Sequence, residues 1–403
     1  MGSVPIFLLA AHILSMLGFS TYAALLPELR DQWSLSNSQA GIVGGMFFAG
    51  YIATVSYWTA LTDRIDARKI YLAGSLLAAV ASAGFGLAAN GFTAAAMFQA
   101  LLGAGIAATY MPGLRLLSDR ISGAAQSRYI AFYTSFFGIG TALSLAAAGL
   151  IAPAAGWRAA FLVSAAGPLL AGALVWLFVA RFDRAAPSAS TFSLKTLFPL
   201  DAWRKVLANR AAAGYTLGYT VHCLELFGSR AWMVAFLVFS STLHAGETYP
   251  WPPALIAAVV NLLAVPASIV GNEVALRIGR RPWIMIAMAG SGASGIVLAL
   301  GAGWHWAIVV GLLIAYAMLV MAESATLTAG LVAAAPAAER GAALGLYSIA
   351  GFGGGLLGPV VFGAALDAAG GAGNIAAWTI AYAAIGAGCL AAPLVGRIKQ
   401  TRL

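Results

Sequence analysis

The chain has 403 residues, of which 61% are hydrophobic and only 9% are charged, with a mean hydropathy of +0.89. A soluble domain carries about 25% charged residues, so this composition excludes one and requires a polytopic membrane protein. The net charge of +9 does not point to nucleic acid, because no basic stripe with interleaved aromatic residues occurs.

A membrane-spanning helix needs ~20 predominantly apolar residues. Twelve stretches qualify in chain order: 4–26, 39–60, 69–89, 93–115, 129–152, 158–180, 210–240, 252–275, 283–303, 306–333, 341–366 and 375–396. They are dominated by Ala, Gly and Leu and are too long for barrel strands, so the expected fold class is an all-α membrane protein. The first stretch has no basic residues before it and is long enough to span, so no cleavable signal is expected. The opening MGSVPI places Ile6 where a myristoylation motif needs Ser or Thr. Cys223 and Cys389 both fall inside spans and read as small apolar fillers, with no disulfide or metal-site spacing.

Basic residues fix the orientation. With the N-terminus in the cytosol, every Lys and Arg except Arg30, Arg158 and Arg230 lies on the inner side. This bias predicts both termini inside a bacterial inner membrane and accounts for the basic balance. The long polar stretch between the sixth and seventh spans divides the chain into a six-helix bundle at 1–180, a cytosolic linker at 181–209 and a second bundle at 210–403. Within the linker, TFSLKTLFPLDAW combines Phe, Leu and Trp with Lys and can lie in the interface or form a plain loop. The halves echo each other. LTDRIDARKIYLAG at 61–74 aligns with ALRIGRRPWIMIAMAG at 275–290, pairing Arg64 with Arg277, Ile65 with Ile278 and Arg68 with Arg281. Parallel repeats about an axis along the membrane normal characterise one large transporter fold.

These residues resemble the major facilitator superfamily. Its signature between helices two and three, G-x-L-A-D-R-x-G-R-K, is met here by Leu61, Asp63, Arg64 and Arg68, while both glycines and the first of the paired basic residues are replaced. The family's R-x-x-x-G-x-G on helix four keeps Gly103 and Gly105 but has Gln99 for the Arg. The antiporter signature on helix five is missing, since Gly138 and Gly140 stand there without a proline. AGWRAAF at 155–161 is similar to the family's usual approach to helix six. DRIDARKIYLAG and the ionisable seventh span together resemble bacterial cyanate and nitroimidazole permeases. The resemblance implies two pseudo-symmetric bundles around a central cavity lined by helices 1, 4, 7 and 10. It also implies that Asp63, Arg64 and Arg68 latch an inner gate, against the bland alternative of positive-inside charge.

Polar residues collect in those four spans. They include Tyr22 on the first, Gln99 and Tyr110 on the fourth, Tyr219, His222, Glu225 and Arg230 on the seventh, and Tyr316 and Glu323 on the tenth. At ~1.5 Å per residue, His222 lies ~18 Å and Glu225 ~22 Å from the inner face, Glu323 ~18 Å, and Arg230 ~30 Å, near the outer edge. An ionised acid at the helix centre costs at least ~2.5 kcal/mol, so such residues mark pathways, pairs or proton relays. His222 and Glu225 fall about 60° apart on one helix face, which suits Glu225 as proton carrier with His222 tuning it. Glu225 and Arg230 are about 140° apart and cannot pair without a bend. The bland alternatives are a structural hydrogen-bonded knot for the acids and snorkelling for Arg230. Tyr219, Tyr22, Tyr110, Gln99 and Tyr316 complete the expected substrate-binding set with Arg230. His12 is a lone histidine on an apolar helix.

The expected function is a proton-coupled secondary transporter of a small polar solute, tilted toward an organic or inorganic anion because a guanidinium fork suits carboxylate-like groups. The alternative is a proton-linked exporter of a drug-like or amphipathic compound. An intramembrane metalloenzyme would need a third ligand and H-E-x-x-H, which the sequence lacks, and a sensor would need an appended domain. No enzyme activity, cofactor or metal is expected. The expected partners are the solute, protons and the lipid bilayer, with the chain as a monomer.

Overall fold

The computed structural model describes residues 4–122, 124–181, 198–244, 249–336 and 339–395. Among these residues there is no strand. The helices in chain order are α1 (Val4–Ser15), α2 (Thr21–Gln32), α3 (Asn37–Leu61), α4 (Ala67–Ala88), α5 (Phe92–Ser118), α6 (Ala124–Phe178), α7 (Leu200–Ala208), α8 (Arg210–Thr242), α9 (Pro253–Ile278), α10 (Arg280–Leu300), α11 (Trp306–Ala322), α12 (Ser324–Ala334), α13 (Arg340–Ala368) and α14 (Ile375–Val395).

These helices make the twelve expected crossings, and two of the crossings are not continuous. The first span is α1 plus α2, separated by the 3-10 turn Met16–Gly18, and it runs on to Gln32. The tenth is α11 plus α12, interrupted at Glu323. Conversely, α6 holds the fifth and sixth crossings, which meet at Gly156. Gly156 has φ +83°, a left-handed conformation that a side chain disfavours, so glycine is required there although space is open around it.

The chain forms two compact units. The first comprises Met1–Leu25 and Met46–Pro199; the second comprises Leu26–Gly45 and Leu200–Leu403. Helix α3 is therefore shared, its first third counting with the second unit. Most of the linker, residues 182–197, lies outside the described residues, as do the basic residues Arg184, Lys195, Arg397, Lys399 and Arg402. The last residues of TFSLKTLFPLDAW enter helix α7, which has Val206 buried and Leu200 and Leu207 exposed; residues 191–197 of that stretch lie outside the described residues.

Small residues set the helix spacing, as they do where lipid provides no hydrophobic drive. In the second unit, the glycine-rich run of α13 lies backbone to backbone on α8. A Cβ at Gly354 would collide with the Thr220 carbonyl, and one at Gly358 with the Leu224 carbonyl. On the other side of α13, Gly41 and Gly45 of α3 face the Pro359 and Leu356 carbonyls in the same way. The end of that seam at the start of α3 is closed by Asp367. Its carboxylate accepts hydrogen bonds from Asn37 N (3.1 Å), Asn37 Nδ2 (2.8 Å), Ser38 N (2.7 Å) and Ser38 Oγ (2.6 Å), satisfying the orphan donors that begin α3.

Candidate functional site in the second unit

Helix α8 carries the densest set of polar side chains in the hydrophobic spans. His222, Cys223, Glu225 and Ser229 are all buried, and Arg230 is half-buried. The helix starts from Asn209, whose side-chain oxygen accepts from Ala211 N and Ala212 N, so the register of the ionisable residues is fixed from its first turn.

The structure pairs these residues differently from the one-face expectation. His222 Nδ1 lies 3.0 Å from Glu323 Oε1, and the two side chains are 1% and 0% exposed. Tyr219 stacks on the His222 ring at 5.7 Å and on Tyr347 at 3.8 Å, and the Tyr347 hydroxyl lies 3.0 Å from Thr328 Oγ1 on α12. His222 Nε2 and Glu323 Oε2 have no hydrogen-bond partner. Glu225 points elsewhere. Its Oε2 accepts from Ser291 Oγ of α10 at 2.7 Å, and Cys389 of α14 lies beside it. Gly386 of α14 also borders this carboxylate, and a Cβ there would press on the Gly292 backbone of α10. His222 is thus hydrogen-bonded across helices to Glu323, and Glu225 sits in the packing between α8, α10 and α14.

Arg230 Nη2 lies 3.6 Å from Met321 Sδ. Thioether sulfur is a weak acceptor for a guanidinium with five donors. Tyr316 is 1% exposed and packs edge-on against Tyr382. The other expected substrate residues lie in the first unit. Tyr22 is buried near Phe85, Tyr110 packs on Tyr133, and Gln99 is 2% exposed with its Oε1 unpartnered. His12 lies flat on Tyr133 at 4.2 Å, with both ring nitrogens unpartnered.

In the loop before α4 of the first unit, Asp63 forms an ion pair with Arg115 Nη2 at 2.5 Å, and the same guanidinium also hydrogen-bonds Thr62. Arg68 pairs with Asp66 at 2.7 Å, donates to the Val179 carbonyl at 3.0 Å and lies over the Trp176 ring. Asp66 also caps α4, accepting from Arg68 N at 3.0 Å. Partial burial pushes the Asp66 carboxyl up. The side-chain and backbone hydrogen bonds from Arg68, with the charges of Arg68 and Arg181, outweigh that and hold it below the usual carboxylate range. Arg64 is exposed.

Several contributors escape a reading of the sequence. Ser291 and Cys389 look like fillers, Arg115 looks like inner-surface charge, and Asp367 is one acid at the end of a span. Only Arg115 carries a local signal, a basic residue one turn beyond Tyr110-Met111-Pro112-Gly113 on a cavity-lining span.

The sequence profile of the Major Facilitator Superfamily matches residues 8–359. The chain belongs to this superfamily. Its fold is that of membrane transporters. The superfamily member is 22% identical over 280 residues to human Protein spinster homolog 1, covering 67% of this chain and 53% of that protein. It is 24% identical over 141 residues to the Niacin transporter NiaP of Acinetobacter baylyi, covering 35% and 32%. Across the curated relatives it matches, the chain spans 31% to 53% of their length. Among solved structures it superposes on a bacterial homolog of the human lysosomal transporter Spinster, in an inward-facing and unoccupied conformation, with a TM-score of 0.74 at 16% identity over 97% of this chain and 93% of that one. A POT family transporter in complex with a thioalcohol-conjugated peptide gives a TM-score of 0.78 at 12% identity over 97% and 94%.

Proposed function

We propose that this superfamily member is a secondary active transporter that moves a small organic or inorganic anion by proton-coupled alternating access, and that the His222–Glu323 pair carries the coupling proton. The observation behind this reading is the pair itself, a 3.0 Å hydrogen bond between two fully buried ionisable groups on different helices. With one bridging proton the pair has a net charge of −1; with a second, taken at His222 Nε2 or Glu323 Oε2, it is neutral. Burying the charged form costs more than burying the neutral one, so proton occupancy biases whichever conformation exposes the pair to water. Glu225, held by Ser291, is the second acid in the proposal. Arg230, whose hydrogen-bond partner among the described residues is the Met321 thioether, is the proposed contact for the anion, and Tyr219 and Tyr316 in the second unit and Tyr22, Tyr110 and Gln99 in the first are the remaining proposed substrate residues. Asp63 with Arg115, and Arg68 with Asp66, form the proposed inner latch together with Arg64.

The asymmetry of Lys and Arg supports an inner-membrane location with cytoplasmic termini. The motif DRIDARKIYLAG supports a subfamily near the cyanate and nitroimidazole permeases, and the stretch shared with a niacin transporter makes nicotinate the first monocarboxylate to try. The test is uptake of a panel of radiolabelled small carboxylates and inorganic anions into proteoliposomes carrying a pH gradient. Wild type concentrates a member of the panel. Glu323→Gln loses that accumulation and keeps exchange of substrate for substrate, whereas Glu225→Gln retains accumulation. Accumulation that survives Glu323→Gln and vanishes in Glu225→Gln would move the proton to Glu225. Accumulation that survives both would remove these acids from the mechanism. Extrusion of amphipathic compounds in place of anion uptake would favour the exporter.

A further inference from the structure

The tenth span breaks at the residue that carries the proposed proton, and the break is held by two side chains from neighbouring helices. Helix α11 ends at Ala322, Glu323 has φ −92° and ψ −13°, and α12 starts at Ser324. A break inside hydrocarbon leaves backbone donors and acceptors unpaired, each at a cost of several kcal/mol. Here the Ala325 N–H donates to Ser268 Oγ of α9 at 3.2 Å. The Ala322 carbonyl accepts from the indole Nε1 of Trp283 on α10 at 3.1 Å. Gly271, one turn beyond Ser268, lets α9 close on the break, because a Cβ there would collide with the same Ala322 carbonyl. The sequence around the break, Ala322-Glu323-Ser324-Ala325, contains neither Pro nor Gly. A side chain that bonds into the helical ladder interrupts a helix without Pro or Gly, and Ser268 and Trp283 both bond the backbone at this interruption.

We propose that Ser268 and Trp283 are positioning residues for proton coupling: they hold the helix open at Glu323, set the Glu323 carboxyl against His222, and make the break a hinge on which α12 moves as the pair gains or loses its proton. This rests on the reading of the His222–Glu323 pair given above. The titratable groups that face Glu323 are His222, Cys223 and Glu225 on α8 and Cys389 on α14. From α9 and α10 the groups at the break are Ser268 and Trp283, neither of which titrates. Only the carboxyl of Glu323 sits in the break itself, so its protonation and the local backbone geometry are mechanically linked.

The test needs no substrate. Hydrogen–deuterium exchange of purified full-length protein in lipid nanodiscs is followed for peptides covering 318–332, from about pH 5.5 to about pH 8, with correction for the intrinsic pH dependence of exchange. In wild type, protection around the break changes with pH, and Glu323→Gln abolishes that change. Ser268→Ala removes the acceptor for the Ala325 N–H. It accelerates exchange there about tenfold and displaces the pH midpoint, while Ser268→Thr, which keeps the hydroxyl, restores both. Trp283→Phe acts in the same direction as Ser268→Ala. An unchanged midpoint in Ser268→Ala, with Glu323→Gln flat, overturns the positioning role and leaves the proton reading intact. A wild-type pH response in Glu323→Gln overturns the proton reading, and the positioning role with it. Because Trp283→Phe removes a large side chain, the Ser268 pair of variants decides the outcome if Trp283→Phe fails to fold.

Discussion

At the level of single residues, Arg230 and Asp66 make opposite uses of charge. Arg230 is half-buried, and its hydrogen-bond partner among the described residues is a weak thioether acceptor, which suits the proposed contact with an anionic solute. Arg230→Lys keeps the charge but loses the planar fork, so anion affinity should fall about tenfold, and Arg230→Ala should weaken it further. Equilibrium binding of the transported anion checks this, and equal affinity in all three proteins would reduce Arg230 to an interface anchor. Asp66 is instead fully engaged. Its folded-state carboxyl lies below the ordinary range, so the stability it supplies is complete above the unfolded value of about 3.9 and is lost as pH falls through the lower folded value. Asp66→Asn should therefore melt lower than wild type at neutral pH, and the gap should narrow in strong acid. A thermal-unfolding series against pH measures that convergence. Removing the cap altogether, as in Asp66→Ala, should cost about 1 kcal/mol.

At the level of helices, backbone contact does what side-chain interlocking does in soluble cores. Gly358 sits against the Leu224 carbonyl, with no room for a methyl group. Gly358→Ala should force α13 away from α8 and cost about 1–3 kcal/mol, seen as a lower melting temperature in detergent. The same displacement would pull Tyr347 from Tyr219, so loss of transport should accompany it. The existence of these helices was legible in the sequence, because ~20 apolar residues in a row admit few alternatives. Which residues pair across them was not. Helix rotation and tilt are set by packing, so two residues 60° apart on α8 can face different neighbours: His222 meets Glu323 at the break between α11 and α12, and Glu225 meets α10. The break at Glu323 was equally hidden. Nothing in Ala-Glu-Ser-Ala breaks a helix, and the side chains that do so come from positions 57 and 39 residues away. The ionisable residues themselves stood out at once, because hydrocarbon makes each one expensive and few are present.

For the whole molecule, the superfamily assignment implies a cycle, and the charged loop before α4 is where a mutation should act on rate and leave affinity alone. Asp63 is tied to Arg115, a residue that reads as ordinary inner charge in the sequence. Asp63→Asn and Arg115→Ala should both lower kcat severalfold with little change in KM, because a latch acts on interconversion and leaves substrate contacts untouched. A rise in KM equal to the fall in kcat would assign the pair to binding. The make-up of the two units is set by packing as well as by chain order. The linker marks one boundary, but the first third of α3 counts with the second unit, through glycine contacts and an acid cap that no composition profile reveals.

The interruption in the first span carries a consequence for how the protein is made. Its backbone there is met by one hydroxyl, and its Thr21 side chain by another, that come much later in the chain. Ser20 N donates to Ser144 Oγ, and Ser144 Oγ donates to the Leu17 carbonyl. Thr21 Oγ1 bonds Ser164 Oγ, 143 residues away. Synthesis runs from the N-terminus, so this helix leaves the ribosome before either partner exists. Until the two arms of α6 arrive, its unpaired backbone groups must be met by water or by the insertion machinery. This early helix is therefore among the last to be finished in its own bundle, and replacing Ser144 or Ser164 should delay acquisition of protease resistance in a coupled translation assay before it weakens the mature protein.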